Sequence, residues 1–216
     1  MLAEIMITYN FTTINMAKNR KTVWFLSVLI AGLIVYGCSS PRSKYEHRLK
    51  SELESGVRND TLFLGMYFGM GEKEFYTHCW NLNKEGLIKQ GPKNTTVERA
   101  LKDELKFPAT MYFYPKFYDG KIYEMPVSFV YNGWAPWNKK LSAEKLQLDV
   151  LKWLEKTYGK GFIKVEHPKH GMAYVKIDGN RRITLFREEE MYVWAVFTDM
   201  LVDRELKKES AVQDKK

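Results

Sequence analysis

The chain has 216 residues, 45% hydrophobic and 14% aromatic, with two cysteines, four histidines and a formal net charge of +8. That is enough apolar material for one domain or two small ones, while two cysteines exclude a disulfide framework and the histidines form no metal cluster with them. The basic excess is scattered, with no Lys/Arg block longer than three in the folded region, so it reads as a solvated surface and not as a nucleic-acid footprint.

Residues 23–38, VWFLSVLIAGLIVYGC, follow Lys18, Arg20 and Lys21 and precede Ser39-Ser40. A basic start, an apolar run of about fifteen residues and then Gly-Cys is the layout of a lipoprotein signal. The run is shorter than the roughly 20 residues a bilayer span needs. Val35, Gly37 and Cys38 match a lipobox; Tyr36 departs from it. Residues 1–37 are therefore expected to be a signal peptide and Cys38 the lipidated residue. The expected location is the cell envelope, and resemblance to enterobacterial lipoprotein sorting, in which an Asp after the lipidated Cys retains the protein in the inner membrane, implies a lipid anchor in the outer membrane of a Gram-negative bacterium, since Ser39-Ser40 lack that Asp. A retained signal anchor is the alternative, and either way residues 41–216 lie outside the cytoplasm. Met16-Ala17-Lys18 opens in signal form, so residues 1–15 are expected to be an untranslated extension. With Cys38 lipidated, Cys79 has no partner in the chain.

Residues 38–60 are polar after the cysteine and read as a tether, with a short helix over 45–53. Folded sequence is expected from Thr61. Leu62, Leu64, Met66 and Phe68 alternate as in a strand. Glu72 to Glu85 reads as a helix, with acidic residues in its first turn, a stripe of Phe75, Cys79 and Leu82, and Gly86 as its stop. Residues 89–106 read as a loop with a short helix around 97–105. Residues 109–114 and 122–131 form a hairpin, with Pro126 marking an edge or a bulge. Asn132 to Asn138 is a loop.

Ser142 caps a second helix whose stripe is Leu146, Val150, Leu151, Leu154 and Tyr158, ended by Gly159. Four strands follow at 162–166, 172–177, 182–187 and 191–197, with Asp178-Gly179 as a hairpin turn. A last helix runs from Met200 to Lys208, and 207–216 is expected to be disordered. Each half, about 61–133 and 141–206, has a helix and then antiparallel strands. The expected fold is α+β over 61–206, an antiparallel sheet with helices on one face.

Gly69-Met70-Gly71-Glu72-Lys73-Glu74-Phe75 resembles the G-M-[ST]-x-x-[EQ]-V opening of small outer-membrane assembly lipoproteins of the SmpA/OmlA type and of β-lactamase-inhibitor-like repeats. The resemblance covers about a tenth of the chain after Cys38, and implies a helix-plus-sheet adaptor without catalysis. Gly71 replaces the usual Ser/Thr and Phe75 the usual Val, and the Gly-x-Pro that follows the helix in those families is met only by Gly91-Pro92, several residues late. The whole mature chain is similar to uncharacterised Bacteroidetes-type lipoproteins, which implies no function.

No P-loop, G-x-S-x-G, H-E-x-x-H or dinucleotide fingerprint is present. His78-Cys79 are adjacent on a helix and point about 100° apart, so Cys79 reads as a core residue. His167 and His170 lack further ligands, and Glu188–Glu190 lack the spaced oxygens of a calcium loop. Asp119, Glu124 and Glu166 are the carboxylates a hydrolase would need, with no spacing that joins them. The distinctive feature is Trp134-Ala135-Pro136-Trp137 beside Tyr131, a platform for a protein partner or a sugar ring, set against a plug under the sheet. The expectation is a non-enzymatic, membrane-anchored lipoprotein that binds another envelope component, a protein or polysaccharide, through Tyr131, Trp134 and Trp137. No cofactor, metal or nucleic acid is expected; a glycan-binding module is the alternative.

Overall fold

The computed structural model describes residues 40–92 and 95–213. The signal segment, Cys38 and both candidate starts lie outside the described residues. The fold is α+β, with four α-helices and nine strands among the described residues. Helix α1 is Pro41–Glu54 and α2 is Glu72–Lys84. Strands β1 (Lys89–Gln90), β2 (Val97–Leu101), β3 (Ala109–Phe113), β4 (Lys116–Tyr118) and β5 (Lys121–Tyr131) follow. Helix α3 (Ala143–Tyr158) leads to β6 (Ile163–His167), β7 (Gly171–Asp178), β8 (Arg181–Glu188), β9 (Tyr192–Asp199) and α4 (Met200–Gln213). No described helix is long and apolar enough to cross a membrane.

The two halves share a plan: α2 and then β1, β2, β3 and β5; α3 and then β6 to β9. Their last strands pair with each other, from Glu124↔Thr198 to Phe129↔Val193. The antiparallel order is therefore β1-β2-β3-β5-β9-β8-β7-β6, with β4 as an extra pair on β5. Period-two alternation sends Met111, Phe129, Val193 and Leu185 to one face. There they form one core with Phe75 and Leu82 of α2 and Leu146, Val150 and Leu154 of α3. Each of those α3 side chains is fully buried and contributes roughly 1.5–3 kcal/mol of apolar burial.

Helices cover both faces, not one. Tyr174 pairs with Leu185, so Val175 and Ile177 point to the opposite face. They form a second cluster with Met200, against which Tyr45, Leu49 and Leu53 of α1 pack.

Residues 41–60 of the segment expected as a tether are folded. Glu52, Arg58, Asn59 and Asp60 are polar because they are satisfied across the chain. The backbone N–H of Asn59 donates to Asn180 Oδ1 at 2.6 Å, and Asn59 Nδ2 donates to Asp178 Oδ1 at 2.8 Å. Asn180 Nδ2 donates to Asp60 Oδ1 at 2.9 Å, and Arg181 Nη1 to the Thr61 carbonyl at 2.5 Å. Arg181 also pairs with Asp178 at 2.8 Å, and Arg58 reaches Asp199 at 3.2 Å. The Gly179 N–H donates to Glu52 at 2.8 Å, which pins the end of α1. Asn180, Arg181 and Asp199 are 1%, 6% and 2% exposed, a buried polar clamp.

Other expectations are corrected. Residues 62–68 form a tight turn and not a strand, with Leu64 and Gly65 at φ 52° and 77°. Leu62 donates to the Met66 carbonyl at 2.9 Å. Both alternating sets are apolar because Leu62, Phe63, Met66 and Phe68 all plug the core. Residues 97–101 are strand β2, paired with β3 from Val97↔Phe113 to Leu101↔Ala109, where a helix was expected. Helix α4 continues to Gln213, past the expected disorder at 207, held by the Tyr118 hydroxyl donating to Glu209 at 3.0 Å. Strand β5 is interior and not an edge: Pro126 pairs with Val196 of β9, and on its other side falls where β5 exchanges β4 for β3 as its neighbour, a one-sided gap that suits a residue without an N–H.

Candidate binding surface

The loop after β5 separates the three aromatic residues singled out in the sequence. Tyr131 is 1% exposed. Its hydroxyl donates to Asp149 at 2.5 Å and its ring stands edge-on to Phe107, so it is a core residue and not a contact. Burial and the Asp149 carboxylate both push its phenol pKa up. Trp134 is half-buried, whereas Trp137 projects with 84% of its surface exposed.

Consecutive turns hold this loop. Asn132 donates to the Pro108 carbonyl at 2.9 Å and Asn138 to the Ala135 carbonyl at 2.9 Å. Thr110 donates to Asn132 Oδ1 at 2.7 Å, and Lys140 to Asn138 Oδ1 at 3.2 Å. An exposed indole on a pinned loop loses little conformational freedom on making a contact.

A second surface has no counterpart in the sequence reading. On the face away from α2 and α3, the register aligns Tyr112 with Ser128, Ser128 with Trp194 and Trp194 with Phe186. Tyr192 is two residues from Trp194 and on the same face. Helix α1 packs on β6 and β7 to one side of this row. Helix α4 starts at the far end of β9, where Asp203 reaches Arg182 at 3.6 Å. The four aromatic rings are half-buried. Trp194 Nε1 is buried without a hydrogen-bond partner. Burial, with Glu98 and Tyr192 nearby, raises the Tyr112 pKa. In the sequence these residues look like ordinary strand aromatics; only the register collects them.

The remaining candidates are placed apart from these two surfaces or at their margins. His78 Nε2 meets the Leu64 carbonyl at 2.6 Å and supports the turn at Gly65. It flanks an open cleft of about 940 Å³ at the start of α2, where Tyr67 donates to Glu74 at 2.7 Å. Cys79 packs against the core, and burial pushes its thiol up to about 11. A second cleft, of about 620 Å³, lies between Asp103–Lys106 and α3. His167 and His170 stand 4.7 Å apart, His170 against Phe186 at 4.3 Å. Burial, His170 and Lys169 lower the His167 pKa. No group of three metal-binding side chains occurs among the described residues. Asp119 lies in the β4–β5 turn, Glu124 pairs with Lys116 at 2.7 Å, and Glu166 is on the edge strand β6, so the three carboxylates do not converge.

No protein-family model, curated protein or solved structure matches this chain.

Proposed function

We propose that the protein is a lipid-anchored envelope lipoprotein, attached through Cys38, that binds another envelope component and performs no catalysis. The observation that supports this reading is the aromatic row Tyr112–Trp194–Phe186, with Tyr192 beside it, on a sheet face with α1 to one side and α4 at the far end. Half-buried aromatics on a rigid sheet, two of them tyrosines, are efficient contact residues, giving large area at little entropic cost.

The test is affinity purification of the anchored protein from its native envelope in mild detergent. It is run beside Tyr112→Ala/Tyr192→Ala and Trp134→Ala/Trp137→Ala variants with unchanged circular dichroism. Partners retained by the tryptophan variant and lost by the tyrosine variant support the sheet face. Partners lost only by the tryptophan variant move the contact to the loop, and unchanged lists from both variants contradict the proposal. Sugar recovered with the wild type alone turns the reading to a glycan module.

A further inference from the structure

The direction of α1 and the position of Trp137 together define an end of the molecule. Helix α1 has its last turn pinned to the β7–β8 turn through Glu52 and Gly179. It packs along β6 and β7, with Tyr45, Leu49 and Leu53 on one stripe. Its first residue, Pro41, is therefore directed toward the other end of those strands, where the β6–β7 and β8–β9 turns lie. The antiparallel register puts the end of β5 at this same end, since Tyr131 pairs with Ala109 while Glu124 pairs with Thr198 near the close of β9. The loop carrying Trp137 thus projects from the end of the sheet toward which α1 begins. Strands β5 and β7 are three places apart in the sheet, about 14 Å at the usual strand spacing.

Cys38 stands three residues before Pro41. Three residues of fully extended chain span at most about 11 Å. With a lipid on Cys38, this end of the sheet is held within reach of the headgroup layer, with no long tether to let it swing away. Trp137 is the most exposed of the large apolar residues there, and indole rings partition to the headgroup boundary, where one edge is apolar and the other wet. Lys139, Lys140 and Lys169 are exposed at this end, and so are Glu188, Glu189 and Glu190. The charge is mixed, so the ring and not net charge makes the contact.

We infer that this end of the sheet is a membrane-docking surface: Trp137 enters the headgroup layer of the bilayer that holds the anchor, fixing the domain upright. The inference rests on the lipidated Cys38 reading. In this orientation the Tyr112–Phe186 face stands on the side of the domain, open to a partner in the envelope space, and the polar clamp points away from the membrane.

The experiment uses the protein purified from its native membrane and reconstituted in phosphatidylethanolamine/phosphatidylglycerol vesicles, with and without dibrominated phosphatidylcholine. Trp137 emission is taken as the difference between the wild type and Trp137→Phe. The inference expects most of that emission to be lost in the brominated vesicles and kept in the plain ones. Equal Trp137 emission in both overturns it, as does quenching confined to Trp80, the exposed indole on α2. The mass of the N-terminal peptide, read on the same sample, reports the lipid on Cys38 separately. An unlipidated peptide therefore removes the anchor reading, while the quenching still decides whether this end meets the bilayer.

Discussion

The two ends of the sheet use polar and apolar residues in opposite ways. At the β7–β8 end, Asn180, Arg181 and Asp199 are nearly fully buried, and every one of them bonds to residues that precede the core in sequence or flank it. At the other end a large indole, Trp137, is exposed on a loop held by backbone bonds from Asn132, Trp134, Asn138 and Lys139. Buried polar groups require geometrically matched partners, so the first end fixes α1 and residues 55–60 against the sheet. An exposed aromatic residue on an ordered loop contributes little to folding, which leaves it free for the bilayer contact proposed above. The two ends predict opposite outcomes for substitution.

Replacing Arg181 with Met is expected to have the largest effect on stability. It removes the donor to Asp178 Oδ2, whose Oδ1 still accepts from Asn59, and to the Thr61 carbonyl, together with the guanidinium 4.9 Å from the Tyr158 ring. Because Arg181 is buried while Asp178 is part-exposed, a loss of about 2–3 kcal/mol in urea unfolding is expected. A loss under about 1 kcal/mol would mean the clamp does not hold the segment in place. Gly179→Ala acts at the same end through the backbone. Gly179 has φ +59°, and a Cβ there would stand 2.4 Å from the Val57 carbonyl oxygen. About 2 kcal/mol of destabilisation is expected, with faster amide exchange in α1 as the segment lifts.

A pH titration gives a third and smaller signal. Burial pushes the Tyr158 phenol up to about 12 from 10.0, and its hydroxyl donates to the Leu62 carbonyl at 3.0 Å. The folded state then keeps a proton that the unfolded chain releases. This contribution is complete below pH 10 and is lost as pH rises from 10 to 12. Unfolding midpoints measured across that window should fall for the wild type and fall less steeply for Tyr158→Phe. The smallest expected change in stability is at the exposed end: Trp137→Ala should shift unfolding by no more than about 0.5 kcal/mol. The same substitution should abolish the quenching by brominated lipid. Marked destabilisation by Trp137→Ala would erase the contrast between the ends and make the loop a structural plug.

Much of the fold is legible in the sequence where local signals agree. Helix α3 follows from its stripe and from Ser142 and Gly159, and β6 to β9 follow from alternation and the Asp178-Gly179 turn. Strand β2 was missed because VERAL is half polar and lies among loop residues; its strand state comes from pairing with β3. The turn at 62–68 was missed because uniformly buried residues show no period that separates a strand from a plug. Residues 58–60 looked solvated because their partners lie about 120 positions away, and no local pattern reports such a pairing. At the surface, Trp137 is exposed, which decides for that residue between the platform and the plug that its loop left open. Tyr131 differs because its position in β5 places it on the core face, beside Asp149. The row from Tyr112 to Phe186 exists only through the register of four strands.

The central claim is that Cys38 carries the anchor a few residues ahead of the folded domain. Its most direct test is mass spectrometry of the N-terminal peptide from the protein extracted from its own membrane. The account predicts a peptide that begins at Cys38 and bears a diacylglyceryl group. A peptide that continues through Gly37 with an unmodified Cys38 thiol would contradict it.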